Sequence, residues 1–149
     1  QTATVLETGG RSREAIALLE QLDRTRPEDP LISNALGYTM ADNNQRLPRA
    51  EQNIRKAMAV SPDSPAIQDS YGWVLFKQGR IAEAVPVLER AWLNSHDSEI
   101  AAHFGEVLWK NGDEGRARYL WQQALARDPD DALLRSTVAR LTGEAPPAR

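Results

Sequence analysis

Two apolar runs with helical spacing flank Gly79: Ser70–Gln78 (SYGWVLFKQ) and Ile81–Ala91 (IAEAVPVLERA). Each carries its apolar residues on one face, which predicts an antiparallel helix pair turned at that glycine. The pattern recurs. Upstream stand ISNALGYTM and AEQNIRKAMAV, and downstream IAAHFGEVLW and RARYLWQQALA, with Gly112 at the second turn. Gly37, Gly72 and Gly105 lie inside the first helices, 35 and 33 residues apart. A glycine there costs about 0.5–1 kcal/mol against alanine. Three in one register therefore predict a backbone approached closely by the second helix. Ala15, Ala50, Ala84 and Ala117 keep steps of 35, 34 and 33 in the second helices. A bulky residue stands three before each closing alanine: Ile54 before Ala57, Leu88 before Ala91, Trp121 before Ala124. Pro27, Pro62 and Pro129 close units, and His96 takes the slot between the last two. A period of about 34 residues with two helices per unit predicts an all-α, right-handed helical solenoid of antiparallel helix pairs.

The expected units are 30–64, 65–97 and 98–131, preceded by a truncated unit over 1–29 that is mostly its second helix. In that first segment TATVLETGG reads as the end of one helix. Ser12–Arg24 reads as its partner, with Ala15, Ile16, Leu18, Leu19 and Leu22 on the apolar face. The chain is thus expected to start inside a repeat, as a piece of a longer protein. Pro48 suits the first turn of a helix, and Pro65 and Ser98 suit helix starts. Pro86 falls inside a second helix and predicts a gentle bend. A capping helix over 132–142 carries Leu134, Val138 and Leu141 inward, with Arg135 and Arg140 on its outer face. The tail 143–149 is expected to fray.

Composition narrows the function. The 149 residues are 41% hydrophobic and 26% charged, with net charge −3 and the signs interspersed. That gives no nucleic-acid footprint. No apolar run approaches a membrane span, so no direct membrane contact is expected, and the N-terminus has no signal-peptide pattern. Cysteine is absent, which removes disulfides and thiolate chemistry.

Gly72, Leu75, Ala84, Leu88 and Ala91, and then Phe104, Gly105, Leu108, Ala117, Trp121, Ala124 and Pro129, resemble the tetratricopeptide repeat (TPR). The resemblance spans nearly the whole chain. It departs at His96 and at Ser33, Gln68 and Ala101, where the motif often has a large aromatic. More narrowly, AVSPDSPAIQDSYGWVLFKQGRIAEAVPVLERAW and its continuation resemble the C-terminal repeats of proteobacterial outer-membrane TPR lipoproteins. That resemblance implies an adaptor scaffold for a periplasmic C-terminal processing protease, on the periplasmic side of the outer membrane. Without the narrower resemblance, a cytoplasmic location is expected.

In such repeats the first helices line the concave face, and residues one turn apart point inward. These are Asn34 and Tyr38, then Asp69, Trp73 and Phe76, then Ala102, Glu106 and Trp109. Large aromatics beside polar groups suit recognition of a protein or peptide. For Trp73, Phe76 and Trp109 two readings stay open: a binding groove, or packing between neighbouring first helices. Trp121 and Trp92 read as core. The lysine–asparagine clamp by which related repeats hold a chaperone's terminal carboxylate is broken here. Asn34 fits it, but Asp69 and Ala102 follow, and Asp69 would repel a carboxylate.

Catalysis and cofactors are not expected. The histidines are His96 and His103; Glu99, His103 and Glu106 share a helix side, which gives charge pairing more simply than a zinc site. Gly9–Gly10 is followed by RSREA, which is no phosphate loop. The function expected is a non-catalytic interaction scaffold. The alternative is a structural segment of a longer solenoid, self-associating through its truncated N-terminal end.

Overall fold

The structure is a computed structural model that describes residues 2–147, with side chains from residue 10 onward. Among the described residues there are eight helices: α1 Thr2–Thr25, α2 Pro30–Asp42, α3 Leu47–Val60, α4 Pro65–Lys77, α5 Ile81–Asn94, α6 Ser98–Lys110, α7 Glu114–Arg127 and α8 Ala132–Thr142. No strand occurs among the described residues. The helices pair antiparallel into a solenoid. α2, α4, α6 and α8 form an inner row in which each touches the next. Each of α3, α5 and α7 packs on its own partner and on the following inner helix, and α5 and α7 are bridged by the Glu89–Arg116 ion pair.

Local signals set these boundaries. Asp29, Ser64, Asp97 and Asp131 each accept a backbone N–H at the start of an inner helix, satisfying donors the helix cannot use itself. Pro30 and Pro65 follow as first helical residues. At the other end Gly79 takes φ 82°. Its N–H donates to the Phe76 carbonyl and that of Arg80 to the Leu75 carbonyl, closing the last turn. Gly112 repeats the arrangement through Trp109 and Leu108. Asn44, at φ 54°, does the same after α2 without being glycine. Asparagine tolerates this left-handed conformation.

The recurring glycines meet the recurring bulky residues. A Cβ built on Gly37 would lie 2.6 Å from Ile54, and at Gly72 and Gly105 it would collide with Leu88 and with the indole of Trp121. Ala50, Ala84 and Ala117 are fully buried where the paired helices cross. The core follows these contacts, through Leu36, Met40 and Ile54 at one end and Leu88, Phe104, Trp121 and Leu134 at the other.

Two expectations change. Gly9–Gly10 does not break the first segment, and α1 runs through it as one helix. Gly10 lacks the left-handed backbone that ends α4 and α6, so it only weakens the helix. On α1 Ile16 is buried, but Leu18 and Leu22 are exposed. The backbone of the helix packs against α2, and Asp23 on it pairs with Lys56 of α3, a contact strip that leaves these two leucines uncovered. Neither cap arginine lies free on an outer face. Arg140 turns to Glu106 on α6. Arg135 donates to the carbonyls of Pro129, Pro146 and Pro147, and so holds the described part of the tail, residues 143–147, against α8.

Candidate functional site

Position one after each inner glycine holds Tyr38, Trp73 and Glu106, and position three before holds Asn34, Asp69 and Ala102. Helical periodicity brings both onto the inner row. At its centre is His103. Its Nδ1 lies 2.9 and 3.0 Å from the two Asp69 oxygens, and its Nε2 lies 3.3 Å from the Tyr38 hydroxyl. The last contact joins α2 to α6, two repeats apart, so side chains close the concave face at this level. Trp73 fills the space beneath. Its ring stacks on His103 with centroids 4.2 Å apart and lies 5.1 Å from Phe76, and its Nε1 donates to Asp42 at 3.1 Å.

The electrostatics follow from burying acids around one imidazole. Burial disfavours a charged His103, but Asp69, then Glu99 and Asp42, outweigh it and raise its pKa. Burial, then Asp42, Glu99 and Asp69, push the Tyr38 hydroxyl far above the phenol range. The order Asp69–His103–Tyr38 has the outline of a relay, yet this phenol stays protonated and serves as a hydrogen-bonding group. Asp69, Glu99 and His103 also place one ligand atom each within 4.8 Å of one another, so they are the residues that could approach a metal ion. Glu106, the residue expected beside His103, is not in that group because Arg140 of α8 binds it, at 3.2 Å between Nη1 and Oε2.

The expected site residues divide accordingly. Tyr38, Asp69 and Trp73 come together around His103, and Phe76 lies against Trp73. Glu106 ties the cap, and Trp109 leans on Trp121 with centroids 5.8 Å apart. Trp73 is only 4% exposed, while Asn34, Tyr38, Phe76 and Trp109 are half-buried and reach solvent. Asn34 and Tyr38 line a cavity of about 380 Å³ between the N-terminal ends of α4 and α6. His103, Asp42 and Arg140 were not anticipated as partners in this network. The signal for them was spacing: His103 follows Asp69, and Arg140 follows Glu106, by 34 residues, one repeat.

Comparison with known proteins agrees with the fold. Residues 41–95 match the tetratricopeptide repeat family. The chain is 46% identical over 121 residues to the TPR repeat-containing protein PA4667 of Pseudomonas aeruginosa, covering 81% of this chain and 20% of that protein. It is 28% identical over 144 residues to cellulose synthase operon protein C of Pseudomonas fluorescens, covering 91% of this chain and 11% of that one. The chain therefore spans a fifth or less of these relatives' length. Among solved structures, the thermophilic TPR protein TTC0263 of Thermus thermophilus superposes with TM-score 0.60 at 19% identity, over 95% of both chains. A MamA structure from Desulfovibrio magneticus gives 0.67 at 15% identity, over 85% of this chain and 72% of that one. At these identities the structures share the fold.

Proposed function

Because the chain is a tetratricopeptide-repeat protein, we propose that it is a non-catalytic scaffold whose inner row of helices binds a segment of a partner protein. One observation carries this. The solvent-reaching aromatic and amide groups Asn34, Tyr38, Phe76 and Trp109 collect on the inner row, off the glycine and alanine positions that pack the repeats. Rigid rings beside polar groups offer contact area at low entropic cost. Trp73 and Asp69 form the supporting wall, and Glu106 contributes through its pairing with Arg140. A photo-crosslinking residue at Phe76 or Trp109, within the full-length protein, should trap a partner. The same residue at exposed Tyr119 on α7 should not. Equal capture at all three positions would refute the inner-face reading.

The larger frame we propose is the one the narrower resemblance implies: an adaptor for a C-terminal processing protease at the periplasmic face of the outer membrane. What supports it is the resemblance of the stretch AVSPDSPAIQDSYGWVLFKQGRIAEAVPVLERAW to the C-terminal repeats of those lipoproteins. Calorimetry with a purified protease of that class tests it, and absence of heat would remove the adaptor role while leaving the scaffold. Exposed Leu18, Leu22 and Leu31 favour the second reading, self-association at the N-terminal end. Sedimentation of the wild type against Leu18→Glu separates the two.

A further inference from the structure

Resting on the inner-face reading, we propose that residues 143–147 form a strap that governs access to Trp109. Arg118 on α7 is the link. Its guanidinium carbon lies 5.2 Å over the Trp109 ring, and its Nη1 lies 3.6 Å from Oε1 of Glu144 in the tail. With the strap docked, Glu144 holds Arg118 across this ring of the inner row. With the strap lifted, the guanidinium swings into water and the ring opens to a partner. An arginine over a solvent-reaching ring has only a modest attraction of its own, so the second contact decides how firmly it stays.

The strap has a hinge, a stiff body and two latches. Gly143 takes φ 78° after α8 and its N–H donates to the Ala139 carbonyl, so the chain turns back there. The Glu144 N–H donates to Thr142 Oγ1 at 3.1 Å, which fixes the first residue after the turn. Pro146 and Pro147 have a fixed φ, so docking them costs little backbone entropy. Their carbonyls accept from Arg135 at 2.9 and 3.2 Å, and Pro146 is buried. That is one latch, and Glu144 with Arg118 is the other. The second is weak by construction. Its side chains are 49% and 72% exposed, and such a pair shifts an equilibrium by no more than about fivefold. A cavity of about 200 Å³ remains between the strap and Trp121, Leu125 and Val138, so the cleft is incompletely filled. A terminal segment held by so few buried contacts opens before the rest of the fold.

The test uses the whole chain labelled with 5-fluorotryptophan, which gives one fluorine resonance for each of the four tryptophans. Trp109→Phe identifies the Trp109 signal. Its shift between light and heavy water reads how far solvent reaches the ring, with no partner present. Glu144→Gln removes the ion pair and keeps the shape. It should enlarge the Trp109 solvent shift and leave those of Trp73 and Trp92 unchanged. Arg135→Gln should act in the same direction through the other latch. Raising salt from about 0.1 M to about 1 M shortens the screening length from about 10 Å to about 3 Å. That should enlarge the shift in the wild type but not in Glu144→Gln. Arg118→Ala should open the ring whatever the tail does, so a further Glu144→Gln should add nothing. An unchanged Trp109 signal in Glu144→Gln would overturn the strap and leave the inner-face reading standing, because cross-linking to a partner tests that reading separately. Equal changes at all four tryptophans would overturn the strap too, since they report a loosened core.

Discussion

The Nδ1 of His103 on α6 lies 2.9 Å from the Oδ2 of Asp69 on α4, and both side chains are almost wholly buried. The pair spans one repeat and joins two inner helices. Its direction with pH follows from His103, whose folded pKa exceeds its ordinary 6.5 because Asp69 outweighs the cost of burial. The folded state therefore holds this proton more tightly than the unfolded chain. The stability it adds is complete below the ordinary value and disappears as pH rises through the folded value. The melting temperature should fall as pH is raised from the ordinary value of 6.5 through the higher folded value. His103→Gln, which keeps a donor but cannot titrate, should flatten that slope. An equal slope in the variant would exclude the pair as its source.

Gly105 should be the least replaceable glycine. An alanine there gains about 0.5–1 kcal/mol of helix propensity, but its Cβ collides with the indole of Trp121. That indole is rigid and fully buried, so overpacking of about 1–3 kcal/mol wins. Gly105→Ala should lower the stability measured by urea unfolding. Gly10→Ala, where a Cβ meets nothing within 4 Å, should raise it slightly. Equal effects at both sites would show that the helix crossing does not need the glycine.

Much of this architecture was legible because each glycine has its counterpart in the same repeat: Gly37 with Ile54, Gly72 with Leu88, Gly105 with Trp121. Such contacts recur with the period, and periodicity reveals them. The network around His103 does not recur, since Tyr38, Trp73 and Glu106 share one position with three different chemistries. Reading His103 within its own helix groups it with Glu99 and Glu106; Glu99 does lie beside it, but its hydrogen-bond partner Asp69 is one repeat back. The run through Gly9–Gly10 was missed for a different reason. Glycine permits a turn, but Gly10 does not take the left-handed backbone that, with the following N–H groups folding back, ends the helices at Gly79 and Asn44.

Arg140 should hold the last helix in place locally. Its Nη2 lies 2.6 Å from Glu106 Oε1, but the guanidinium side is 56% exposed, so water screens the pair. Arg140→Ala should cost no more than about 1 kcal/mol globally. Hydrogen exchange in α8 should quicken while exchange in α4 stays unchanged, since a terminal helix has neighbours on one side only. Faster exchange throughout would mean that the cap is not a separate unit.

Trp73 and Trp109 should separate packing from binding. Trp73 is wedged between Asp42, Phe76 and His103, so Trp73→Ala should destabilise the fold by about 3–5 kcal/mol, the usual cost of emptying a buried aromatic site. Trp109 is half-buried, with the Arg118 guanidinium 5.2 Å over its ring, and its removal uncovers Trp121 rather than opening a cavity. Trp109→Ala should melt close to the wild type. If the inner face grips a partner, the same substitution should weaken binding by about 2 kcal/mol, close to thirtyfold in Kd. Calorimetry against a partner trapped at Phe76 reads this directly, with circular dichroism as the check on folding. A Trp109→Ala chain that stays folded and binds with unchanged affinity would move the interface off the inner row. The exposed outer helices, with Arg55, Lys56, Glu89 and Arg90, would then be the surface to probe.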